Sequence, residues 1–153
     1  MTRMSYSTPD KGRVALGSDH AGFELKEIIK KYLTDRDFTL LDFGTDSTRS
    51  VDYPDFARKV CEAVLTGDAE RGILLCGTGV GMSMMANRFQ GIRGALCHDH
   101  FTALAARRHN DSNVLILGGR ILGKDLAMEI VDTWLDTPFE GGRHERRVKK
   151  FDE

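Results

Sequence analysis

Short apolar runs alternate with longer stretches of helical period along this chain, five times over. RVALGS (13–18), FTLLDFG (38–44), GILLCG (72–77), GALC (94–97) and NVLILGG (113–119) read as strands. The segments 21–36, 55–67, 81–89, 100–109 and 124–135 read as the helices that follow them, several with apolar residues recurring every three to four positions. Leu25, Ile28, Ile29, Tyr32 and Leu33 share one face of the first, and Ala127, Ile130, Val131 and Trp134 share one face of the last. Gly67 closes the second helix, as a residue tolerant of positive φ should. Strands without polar alternation are covered on both sides. The expected fold is therefore α/β, a three-layer Rossmann-like arrangement with a five-stranded parallel sheet and helices on both faces. Ligands of such sheets bind beyond the carboxyl ends of the strands, so chemistry is sought there first.

Length and composition narrow the classes. The 153 residues predict one domain over 13–153, preceded by a leader (1–12) whose polar character predicts disorder. Lys and Arg number 22 against 23 Asp and Glu, which leaves no net field to attract nucleic acid or a membrane surface. No apolar stretch approaches the length of a membrane span. Cys61, Cys76 and Cys97 are an odd number at wide spacings. They predict neither a disulfide framework nor a zinc site, and they suit a reducing cytoplasm.

Four stretches carry candidate chemistry. In GSDHAG (17–22), Asp19 is placed to be a helix N-cap, and His20 faces the expected ligand crevice. In CGTGVG (76–81) a cysteine precedes a glycine-spaced loop. A dinucleotide loop counted from Gly77 needs glycine at position 82, and a cysteine phosphatase needs arginine there; the residue is Met82. A P-loop needs a lysine that is absent. What remains is a thiol at a strand end before small residues whose amides can converge on a developing oxyanion, or else a buried cysteine at a tight turn. In RRHNDSNV (107–114), His109 and Asn110 offer proton exchange near neutral pH, or a histidine favoured at a helix end. In GGRHERRVKK (141–150), Arg143, His144 and Arg147 recur on one side of a helical turn, with Arg120 as a possible ally. Arginine forks suit a phosphate dianion; a solvated terminal helix is the plainer alternative.

Taken with DYPD (52–55), these stretches together resemble the ribose-5-phosphate isomerase B family, from about Arg13 to the C-terminus and in matching order. The family also includes galactose-6-phosphate and allose-6-phosphate isomerases. The resemblance implies an aldose–ketose isomerase of the pentose phosphate pathway, with no metal and no organic cofactor. It implies that Cys76 is the base moving a proton between carbons 2 and 1. The amides of Gly77, Thr78, Gly79, Val80 and Gly81 then hold the enediolate, with the Thr78 side chain assisting. It further implies His109 as the ring-opening acid with Asn110 beside it, and Asp19 and His20 as a sugar-binding pair. Arg120, Arg143 and Arg147, with His144 nearby, match ligand-binding positions. Members are homodimers or homotetramers with the active site shared between subunits. A six-carbon substrate is the alternative reading. A non-catalytic sugar-phosphate-binding module is another, although it would have no use for both Cys76 and His109.

Overall fold

The computed structural model describes residues 11–153. Most of the expected leader lies outside that range. Lys11 and Gly12, assigned to it from sequence, are instead tied down. The Lys11 amide donates to the Asp37 carbonyl at 3.2 Å, and the Gly12 carbonyl accepts from the Thr39 amide at 3.0 Å.

The five expected strands form: β1 (Arg13–Ser18), β2 (Thr39–Asp42), β3 (Arg71–Cys76), β4 (Gly94–Leu96) and β5 (Val114–Gly118). They pair in parallel in the order β2-β1-β3-β5-β4. Helices α1 (Phe23–Asp35), α2 (Tyr53–Thr66), α3 (Val80–Ala86), α4 (His100–Arg108), α5 (Lys124–Asp136) and α6 (Arg143–Val148) complete the chain. From β1 the chain steps one way to β2, returns past β1 to β3, crosses to the far edge at β4, and turns back to β5. Right-handed crossovers then dictate the faces: α1 and α4 on one side of the sheet, α2 and α3 on the other. The packing agrees, since α5 lies against both α1 and α4, and α2 lies against α3. The strand order reverses between β1 and β3, so the crevice of such a fold opens at their carboxyl ends.

Period-2 alternation divides the buried strand residues between two cores. Val14, Leu16, Ile73, Leu75, Leu115 and Leu117 face α1, α4 and α5, around the fully buried Trp134. Ala15, Leu74, Cys76, Val114 and Ile116 face α2 and α3. This two-sided burial is why the strands show no polar alternation. Gly67 takes φ +82° and closes α2 as expected.

Two local expectations fail. On α1, Ile28 is exposed and Tyr32 only half-buried, while Lys26 is fully buried and pairs with Asp42 at the end of β2 at 2.8 Å. The helix turns this lysine inward because a carboxylate waits there, a pairing that periodicity does not encode. Asp19 is not the N-cap of α1, because that residue is Gly22. Its carboxylate works one step earlier, accepting from the Ala21 and Gly22 amides at 2.9 and 3.1 Å.

Candidate active site

At the carboxyl ends of β1 and β3 the chain gathers Asp19, His20, Cys76, the loop 77–81 and Arg120. Cys76 is the last residue of β3, buried, with Sγ accepting from the Gly79 amide at 3.2 Å. A donor at that distance compensates negative charge on the sulfur. The loop folds this way because Gly79 takes φ +80° and passes so close to Leu96 that a Cβ would lie 2.5 Å from its side chain. The Val80 amide donates to Thr78 Oγ1 at 3.2 Å. Arg120 is anchored by its own amide to the Gly77 carbonyl at 2.9 Å, and its guanidinium packs over Gly77. His20 Nδ1 accepts from the Val51 amide at 3.2 Å, so a ring proton, when single, sits on Nε2. The other two cysteines are different in kind. Burial pushes the Cys61 thiol up to about 12 and the Cys97 thiol up to about 11, as expected of inert core residues.

The structure adds one residue that motif reasoning passed over. Tyr53 lays its ring on Gly81, so closely that a Cβ there would meet the ring at 2.6 Å. Its only trace in the sequence is its place in DYPD.

The remaining candidates lie elsewhere. Helix α4 starts beyond the carboxyl end of β4 and runs back to the start of β5, so His109, its C-cap, lies at the amino ends of the strands. Two of the four candidate stretches therefore lie away from the carboxyl ends of the strands. The His109 ring stacks on His144 of α6, with centroids 4.4 Å apart and planes 15° from parallel. His144 is buried; Arg143 and Arg147 flank it on α6 and are exposed. Burial first, then the nearby His109 and Arg143, push the His144 imidazole below its ordinary value, and Glu140 opposes them. Asn110 is exposed and lines a cavity of about 590 Å³ with Arg88, Phe89, Arg93 and Phe151; neither Cys76 nor His109 reaches it. Arg120 stays with the cysteine and is no ally of Arg143 and Arg147 within one chain. At ~3.3 Å per residue, the five-residue β5 alone spans about 15 Å between the two groups. One chain thus carries two separate groups of candidate residues, one holding a thiol and an amide loop, the other a histidine pair and arginines.

The ribose/galactose isomerase family model matches residues 14–151. The chain belongs to that family. Family membership makes it a sugar-phosphate isomerase; the sugar is a separate question. It is 47% identical to the ribose-5-phosphate isomerase B of Escherichia coli, over 90% of this chain and 92% of that protein. It is 44% identical to the D-erythrulose-4-phosphate isomerase of Pectobacterium atrosepticum, over 90% and 91% respectively. Among solved structures, a ribose 5-phosphate isomerase of Thermotoga maritima superposes with a TM-score of 0.91 at 55% identity, covering 92% of this chain and 97% of that one. The type B enzyme of Trypanosoma brucei gives 0.88 at 46%, over 92% and 96%. Among the described residues, no helix is long and apolar enough to cross a membrane.

Proposed function

We propose that this chain interconverts ribose 5-phosphate and ribulose 5-phosphate through an enediolate, at a site completed by a second copy of the chain. The observation that carries this reading is Cys76 Sγ beneath the Gly79 amide at the switch point of the sheet. With the aldehyde open, the Cys76 thiolate takes the proton from carbon 2. The electrons of that C–H bond form the C1=C2 bond, and charge moves to O1. The amides of Gly77 to Gly81 and the Thr78 hydroxyl hold that oxyanion. Return of the proton to carbon 1, with transfer of the O2 proton to O1, leaves the ketose. The exchange is redox-neutral and calls for no electron carrier. Asp19 and His20 hold sugar hydroxyls, and Arg120 reaches the ligand from the same chain.

The second copy supplies what this half lacks: His109 to protonate the ring oxygen, Asn110 beside it, and Arg143, His144 and Arg147 for the phosphate. A gap of about 15 Å across the sheet is several times the reach of a hydrogen bond, which supports sharing between two chains. The Escherichia coli relative supports the five-carbon substrate. The Pectobacterium relative, named for a four-carbon ketose phosphate, favours testing shorter sugars too. A panel of four-, five- and six-carbon phosphates scored by isomer formation decides the length.

The mechanism is tested by paired initial rates. Ribose 5-phosphate is almost entirely a closed ring in water, whereas ribulose 5-phosphate cannot close a comparable one. His109→Ala should lose roughly 10²–10⁴-fold from the aldose and far less from the ketose. Cys76→Ala should lose both directions together. Equal losses for His109→Ala would refute ring opening as its role.

A further inference from the structure

One carboxylate stands among Arg108, His109, Arg143, His144 and Arg147, where a cradle built only for a phosphate dianion would exclude it. Glu140 Oε2 lies 3.7 Å from His144 Nε2, and Oε1 lies 3.9 Å from Arg108 Nε. The Glu140 amide donates to the Arg108 carbonyl at 3.1 Å, which fixes the residue beside the end of α4. A nitrogen from each ring and a Glu140 oxygen all fall within 4.8 Å of one another. His144 is more than nine-tenths buried, and its Nε2 has no hydrogen-bond partner among the described residues. The trio does not suit a metal ion. Rings 15° from parallel and 4.4 Å apart direct their in-plane lone pairs side by side, so both cannot point at one centre.

We infer that Glu140 is a positioning residue that favours the protonated form of the stacked His109–His144 pair, on which the ring-opening step draws. The inference rests on the reading of His109 given above. Two imidazolium rings at 4.4 Å repel, and Arg143 and Arg147 of α6, which act on His144, are both cationic, while Arg108 of α4 lies beside Glu140 itself. Glu140, on the segment between α5 and α6, is the charge that opposes them. It acts through the histidines and does not touch the sugar.

Glu140→Gln removes the charge and keeps the shape. Because the carboxylate favours the protonated pair, its loss should move the alkaline limb of the ribose 5-phosphate rate to lower pH by roughly half a unit, as befits a partly exposed ion pair. On the alkaline side of the limb that is about a threefold loss, fading to little change at pH values well below the midpoint. Glu140→Asp should restore much of the limb. Glu145→Gln, which removes an exposed charge from α6, should leave it in place. NMR titration of labelled histidine gives a readout independent of turnover, and the His144 midpoint should fall in Glu140→Gln. An unmoved limb and an unmoved His144 midpoint in Glu140→Gln, with His109→Ala behaving as described, overturn this inference alone. Equal losses for His109→Ala in both directions would instead overturn the reading beneath it.

Discussion

Two inactive variants of this chain should restore activity to each other when mixed. Cys76 ends β3 at the carboxyl side of the sheet, and His109 ends α4 at the amino side, about 15 Å away by strand rise. No rotamer change spans that distance, so the proposed mechanism takes Cys76 from one chain and His109 from another. Cys76→Ala and His109→Ala homo-oligomers each lack one of the two in every site. After unfolding and refolding of an equal mixture, a given site receives an intact Cys76 half with probability one half, and an intact His109 half with the same probability. The mixture should therefore reach about a quarter of wild-type activity from ribose 5-phosphate, for any closed assembly built on this pairing. The assay is the initial aldose-to-ketose rate, with subunit exchange verified by a mass tag on one variant. The background should be low, because His109→Ala alone is expected to keep only roughly 10⁻²–10⁻⁴ of the rate in this direction. Verified exchange with no gain above that background would refute the shared site.

Arg143→Ala or Arg147→Ala should mainly weaken substrate binding, by about ten- to a hundredfold for each lost set of charge-assisted bonds, at roughly 1.5–3 kcal/mol. Isothermal titration with ribose 5-phosphate checks this, and normal affinity in both variants would make α6 a merely solvated helix. Asp42 should contribute to acid stability. Burial pushes its carboxyl up, but hydrogen bonds from Lys26 and Lys30 outweigh burial and bring it below the ordinary value. A carboxyl depressed in the fold stabilises above its unfolded value and loses that contribution as pH falls through the folded one. Denaturation from pH 5 to pH 2 should therefore show a steeper decline in wild type than in Asp42→Asn, and parallel curves would remove Asp42 from acid unfolding.

The layers of this fold were legible in the residues, because the features that set them are local. Each unbroken apolar run, such as that of β5, implied cover on both faces, and Gly67 marked the end of α2 by backbone freedom alone. Cys76 stood out on the same footing, since a thiol followed by small residues is a local pattern. Its contact with the Gly79 amide follows from the turn those residues must make. Which residues share a site was beyond that reach. Asp19, His20 and Arg120 join Cys76 only because β1, β3 and β5 are neighbours in the order β2-β1-β3-β5-β4. His109 and His144 are sent to the other end of the sheet by the direction of α4, although their motifs look like members of the same set. Burial of Lys26 against Asp42, the ring of Tyr53 on Gly81, and Glu140 beside two stacked imidazoles are likewise pairings between distant segments. Hydrophobic period is a property of successive side chains, and a strand or helix carries it before anything packs. A contact between residues tens of positions apart has no such local signature, and it exists only once the crossovers have set which ends of which elements meet.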